Sequence, residues 1–216
     1  MEHREKEALR YLGYGRKAAD EATFLLVQNA FRDLERIAER RSVCRIFEFE
    51  QEEDSRMKIG GAEVISKNLG KNLKGCSEVI LMGATLGIQT DRMIQRASLR
   101  NMAEAVVIQA CAAAMLEEYC DEVQAGLEEE MARQGLYLRP RFSPGYGDFP
   151  IEYQKLLVRM LDSGKKIGLT LTESCMMVPS KSVTAVIGVS KIKTPCHKQG
   201  CEMCTKTDCI YRRDTA

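Results

Sequence analysis

Twelve consecutive residues, Arg139-Pro140-Arg141-Phe142-Ser143-Pro144-Gly145-Tyr146-Gly147-Asp148-Phe149-Pro150, constrain this chain more than any other stretch. Three prolines and two glycines without a helical or alternating period exclude regular secondary structure there and predict an ordered loop. Each proline fixes its own φ and drives the residue before it out of the α region. Gly145 and Gly147 are free to take φ > 0 or to let another molecule approach the backbone. Such a loop is either a stiff surface connection or a rigid base that holds Arg141 and Tyr146 out to a ligand. A guanidinium is the side chain suited to a bidentate carboxylate or phosphate clamp.

The flanking segments alternate between the two periodicities. Glu5–Tyr14 reads as a short helix, and Asp20 as the N-cap of a second helix reaching about Arg40, with Phe24, Val27, Phe31, Leu34 and Ala38 on its apolar stripe. Val43–Glu50 reads as a strand with Val43, Phe47 and Phe49 on one face. A short strand is expected over Met57–Ile59, an interrupted helix over Glu63–Leu73 and a buried strand over Ser77–Met82. Gly83-Ala84-Thr85-Leu86-Gly87 then turns into a helix from about Thr90, either cradling an anion or packing small residues closely. Ser98–Gln134 is the longest helical stretch, with a break expected near Gly126. Within its apolar first half Glu104 is either paired and functional or sits at the first exposed turn, because a lone buried carboxylate is costly. After the loop come a helix over Glu152–Leu161 and two apolar strands, Ile167–Leu171 and Val183–Val189. Strands and helices without βαβ alternation imply an α+β fold: a mainly antiparallel twisted sheet flanked by helices.

Three ordered blocks carry a resemblance. Arg141-x-x-x-Gly145-Tyr146, then Ile167-Gly168-Leu169-Thr170-Leu171-Thr172-Glu173-Ser174, then Pro179-x-x-Ser182-Val183 together resemble the activation domain of cobalamin-dependent methionine synthase. The likeness runs from about Leu138 to Ser190 and implies that residues 1–190 are one such domain, folded as in that family. It further implies that Arg141 holds the carboxylate of S-adenosylmethionine and Glu104 its ammonium. Pro144 and Gly145 would contact that ligand, with Tyr146, the expected catalytic residue, near the cobalt face. Thr172, Glu173 and Ser174 would shape the adjoining wall. The family function so implied is reductive methylation of Co(II) cobalamin, fed by a low-potential donor such as flavodoxin or ferredoxin. No corrinoid-binding D-x-H-x-x-G motif is present, since the histidines are His3 and His197 alone, so cobalamin is expected on a partner methionine synthase or corrinoid methyltransferase. One departure stands inside the loop: Gly147-Asp148-Phe149-Pro150 replaces the Pro-Ala-Cys-Pro of the synthases.

Residues 191–216 differ in composition and carry Cys196-x4-Cys201-x2-Cys204-x4-Cys209. Four thiols at that spacing predict one four-thiolate centre, zinc or an iron-sulfur cluster; the redox chemistry implied by the resemblance inclines the choice to iron-sulfur. Cys44, Cys76, Cys111, Cys120 and Cys175 are scattered among apolar residues and read as core. A net charge of +1 gives no electrostatic case for nucleic acid. The charged Met1–Glu7 segment is unlike a signal peptide, and no apolar run approaches a membrane span, so a cytoplasmic location is expected.

Overall fold

A computed structural model describes residues 3–14 and 19–193. The four-cysteine motif and His197 therefore lie outside the described residues. In chain order the elements are α1 (His3–Tyr11), α2 (Glu21–Ile37), β1 (Arg41–Gln51), β2 (Arg56–Ile59), β3 (Ala62–Ile65), α3 (Lys67–Asn72), β4 (Glu78–Thr85), α4 (Ile88–Arg100), α5 (Met102–Ala132), β5 (Tyr137–Leu138), α6 (Gln154–Leu161), α7 (Ser163–Ile167), β6 (Thr170–Leu171), β7 (Met177–Val178) and β8 (Ser182–Ser190).

Six strands form one antiparallel sheet in the order β3-β2-β1-β4-β8-β5. β4 lies inside it, paired along its length with β1 (Arg41↔Thr85 to Glu48↔Glu78) and with β8 (Glu78↔Val189 to Thr85↔Ser182). Its side chains alternate between two cores, which is why it reads as an unbroken apolar run. Ile80, Met82 and Ala84 join the core made with α1, α2, α4 and α5, while Val79 and Leu81 join the one under α6 and the loop. The expected α+β antiparallel fold is what the chain adopts.

Local chemistry accounts for the boundaries. Asp20 caps α2 by accepting from the Thr23 N–H at 2.7 Å. The helix expected over Glu63–Leu73 is instead β3 followed by α3, with Ser66 as N-cap. Ile59 pairs with Ala62, so Gly60 and Gly61, at φ 53° and 79°, make a two-residue hairpin turn that only glycines take cheaply. The long helical stretch breaks at Asn101 and not at Gly126, because Asn101 turns to φ −151° and its side chain accepts from the Ala103 and Glu104 N–H groups. Gly126 faces open space within α5 and costs the helix only about 1 kcal/mol relative to alanine. The strand expected over Ile167–Leu171 shrinks to β6, since Ile167 ends α7 and Gly168 (φ 73°) stops that helix. β6 pairs with β7 in a separate two-stranded hairpin.

Candidate functional site

The proline-braced loop is a continuation of the sheet edge. After β5 pairs with β8, Arg139 N–H donates to the Gly188 carbonyl at 2.8 Å, and Phe142 and Val186 exchange two backbone bonds of 2.9 Å. Successive residues then point to opposite faces. Phe142 enters the second core, whereas Arg141 reaches across to α5. Beyond them the chain turns tightly. Gly145 (φ 93°) donates to the Phe149 carbonyl at 2.7 Å, Phe149 N–H to the Tyr146 carbonyl at 3.0 Å, and Pro144 is buried.

The Gly147-Asp148-Phe149 departure is structural. A Cβ on Gly147 (φ 56°) would lie 2.3 Å from Asn68 Nδ2, so α3 presses directly on this turn. Asp148 accepts from the Ser66 hydroxyl (2.6 Å), Lys67 N–H (2.8 Å) and Asn68 N–H (3.0 Å), capping α3 from a distant part of the chain. The Ser66 hydroxyl and those N–H groups hold the Asp148 carboxyl below its ordinary value. Phe149 is fully buried, its ring centroid 5.2 Å from that of Tyr153 and 6.2 Å from that of Phe142.

The expected ligand residues fall into separate places. The Arg141 guanidinium is already clamped: it donates to the Cys120 carbonyl (3.1 Å), Gln124 Oε1 (3.0 Å), Asp121 Oδ1 (2.6 Å) and Glu117 Oε2 (3.5 Å). A free guanidinium was the expectation, and the acidic face of α5 is the reason it is not free. Tyr146, 69 % exposed, points to solvent. Glu104 sits partly exposed in the first turn of α5, thirteen residues before Glu117, about 20 Å along the helix. One amino-acid headgroup cannot span that distance, so Glu104 and Arg141 are not brought together in this structure.

Thr172, Glu173 and Ser174 form the tip of the β6–β7 hairpin. Thr172 Oγ1 lies 3.0 Å from Ser174 Oγ and accepts from Met176 N–H at 3.1 Å. Among the described residues no hydrogen bond joins this tip to the Arg141 loop. The third block ties β8 to α4: Ser180 donates to Asp91 through its N–H and its hydroxyl, both at 2.7 Å, and Ser182 Oγ donates to the Pro179 carbonyl at 2.7 Å. Burial pushes Lys181 below its ordinary pKa there, with Asp91 opposing. Gly83, Ala84 and Thr85 continue β4, so the turn expected over Gly83–Gly87 shortens to Leu86-Gly87, and it is closely packed, since a Cβ on Gly87 would lie 2.9 Å from that of Glu39.

Glu117, Asp121 and Gln124 were not singled out from the sequence. Their signal is spacing: with Cys120 they fall at i, i+3, i+4 and i+7, one polar edge on a helix that is otherwise apolar inside. Of the scattered thiols Cys111, Cys120 and Cys175 are buried, while Cys44 and Cys76 are partly buried against the two cores; burial pushes Cys111 and Cys120 up to about 12 and Cys44 up to about 11, which disfavours their thiolates at neutral pH. Among the described residues no group of three or more His, Cys, Asp or Glu is arranged to hold a metal, and no helix is long and apolar enough to cross a membrane.

Comparison with known proteins bears on this geometry. Residues 90–194, which include α5, the loop and β8, match the family described as vitamin B12 dependent methionine synthase, activation domain. No curated protein matches the chain in sequence. Among solved structures the chain is similar to the MetH reactivation domain bound to AdoHcy, with a TM-score of 0.60 and 16 % identity over 88 % of this chain and 77 % of that one. At that identity the likeness is one of fold. By sequence over residues 90–194, and by fold over most of its length, the chain is thus similar to the methionine synthase activation domain.

Proposed function

We propose that this chain binds S-adenosylmethionine and supports reductive methylation of Co(II) cobalamin carried by a separate methionine synthase or corrinoid methyltransferase. The observation that carries the reading is the Arg141-x-x-x-Gly145-Tyr146 loop, held rigidly at the sheet edge inside the segment that matches the activation domain family. The similar fold was crystallised with AdoHcy, the species left when S-adenosylmethionine gives up its methyl group.

On this reading the ligand carboxylate displaces Asp121 and Glu117 from Arg141, a carboxylate-for-carboxylate exchange. The displaced groups then lie beside the ligand ammonium, so they take that role, and Glu104 is not assigned to it. Gly145, exposed above the buried Pro144 that braces it, leaves the backbone open to close approach, Tyr146 faces the docked corrinoid, and the Thr172–Ser174 tip closes the adjoining wall. The partner's cobalamin supplies the chemistry. Once reduced by a donor such as flavodoxin or ferredoxin, that cobalamin would accept the sulfonium methyl while Arg141 and the acidic edge of α5 hold the amino-acid end of the methyl donor.

Anaerobic calorimetry with S-adenosylmethionine and AdoHcy tests this. Binding is expected, and Arg141→Ala is expected to weaken it about 30- to 100-fold, the worth of a charge-assisted pair. Absence of binding by the wild type, even with a Co(II) corrinoid protein present, dismisses the reading.

One observation favours a second reading, in which Cys196, Cys201, Cys204 and Cys209 hold an iron-sulfur cluster or zinc and the chain is a redox or structural partner of a corrinoid protein. It is the engagement of Arg141 by its own chain, as a vestigial pocket would have it. A brown anaerobic preparation containing iron, unresponsive to S-adenosylmethionine, would select it.

A further inference from the structure

Most arginines on the helical side of the sheet are neutralised by carboxylates: Arg10 by Glu7 (2.8 Å), Arg40 by Glu35 (2.9 Å), Arg41 by Glu39 (2.6 Å) and Arg141 by Asp121 (2.6 Å). One group is not. Arg36 of α2 and Arg96 and Arg100 of α4 line a cleft of about 280 Å³ between the two helices. Its remaining walls are Ile37, Met93, Gln89 and a single carboxylate, Asp33, 3.9 Å from Arg36. Among the described residues Arg96 and Arg100 have no ion pair or side-chain hydrogen bond.

The arrangement works against folding. Arg96 and Arg100 stand at i and i+4, where like charges destabilise a helix by a few tenths of a kcal/mol. In a chain with 31 acidic residues and a net charge of +1, the cleft holds three guanidiniums against one carboxylate. Charges of one sign in a concave, partly apolar wall focus their field into it. Guanidinium forks match phosphate oxygens, Gln89 adds an amide donor, and Ile37 and Met93 offer an apolar bed. The volume falls just below the roughly 300 Å³ at which ligand pockets begin, enough for a phosphate group and part of its body.

We infer that the α2–α4 cleft binds a small organic phosphate, its anionic group held by Arg36, Arg96 and Arg100 and its body lying on Ile37 and Met93. The cleft contains no residue of the Arg141 loop, so this site stands apart from the proposed S-adenosylmethionine site.

Calorimetry at low salt tests it, with inorganic phosphate, pyrophosphate, ATP and citrate as probes. Pyrophosphate is expected to bind more tightly than phosphate or citrate, and ATP more tightly still. Arg96→Ala and Arg100→Ala are each expected to weaken ATP about tenfold. Arg92→Ala, which removes the same charge from the same helix outside the cleft, is expected to change it less than about twofold. Arg96→Lys and Arg100→Lys guard against loss of fold and are expected to retain intermediate affinity; Arg141→Ala leaves ATP binding unchanged. The inference is overturned if ATP and pyrophosphate fail to bind at millimolar concentration, if citrate binds as well as pyrophosphate, or if Arg92→Ala weakens ATP as much as Arg96→Ala.

Discussion

The loop 139–150 and the β6–β7 hairpin both carry motif residues, yet they are built on opposite principles. The loop is bonded to β8 through Arg139 and Phe142, caps α3 through Asp148 and plants Phe149 in the second core. The hairpin has two residue pairs, Thr170↔Val178 and Leu171↔Met177, and a tip held mainly by its own Thr172 and Ser174. Two-stranded hairpins are marginal on their own in water. Its anchor is Cys175, buried and at φ 64°, a left-handed conformation that costs a non-glycine residue free energy. On the proposed function, a ligand meeting both regions would find the loop held by other elements of the fold and the hairpin tip held mainly by itself. On that reading the loop would set affinity and the hairpin would adjust it.

The largest expected difference between them is in stability. Phe149→Ala removes a fully buried ring from between Phe142 and Tyr153 and should cost about 3–5 kcal/mol by urea denaturation. Thr172→Ala at the hairpin tip should cost less than about 1 kcal/mol. Equal costs would remove the distinction. Next comes Gly147→Ala, which forces a side chain into φ 56° against Asn68. A loss of about 1–2 kcal/mol is expected, from the left-handed strain even after the exposed Asn68 side chain moves aside.

Smaller still, and on affinity, is the effect of the groups that now clamp Arg141. Asp121 is well exposed, so its pairing with Arg141 contributes no more than about 1 kcal/mol. If it only competes with the ligand carboxylate, Asp121→Asn should tighten S-adenosylmethionine binding up to about fivefold. If it takes the ligand ammonium, the same variant should weaken binding. The calorimetric sign distinguishes competitor from ligand contact, whereas Glu173→Gln in the hairpin should move affinity less in either direction.

The sequence made the loop legible because proline and glycine act locally. It also made β1, β4, β8 and the inner half of α5 legible, because burial imposes a period or an apolar run that neighbours in sequence report. What it hid was decided between segments. The clamp on Arg141 joins residues 17–24 positions apart, and Asp148 caps a helix about 80 positions earlier. Ser66 and Asp148 together satisfy the start of α3, and a search for caps beside the helix finds only the first. Two boundaries are nonetheless written locally. Gly60-Gly61 between apolar runs is a hairpin signal that the helical reading of Glu63–Leu73 overrode, and Asn101 is a better helix boundary than Gly126, since it supplies a capping oxygen where glycine only weakens a helix.

The pH dependence contributed by Asp148 is the finest probe of how firmly the loop is held. The Ser66 hydroxyl, then the Asn68 and Lys67 N–H groups, stabilise its carboxylate, so its folded pKa lies below the unfolded value of about 3.9. A depressed carboxylate pKa contributes stability that is fully present above the unfolded value and is lost as pH falls through the folded one. Wild-type Tm should therefore drop through the window beginning near pH 4 and extending below it. Asp148→Ala should lower Tm modestly at neutral pH and flatten the curve in that window, because its unfolded and folded states bind the same number of protons at this position. Parallel curves for wild type and variant would mean that the carboxylate does not hold α3 in solution, and the contrast between loop and hairpin would then rest on Phe149 and the backbone bonds to β8.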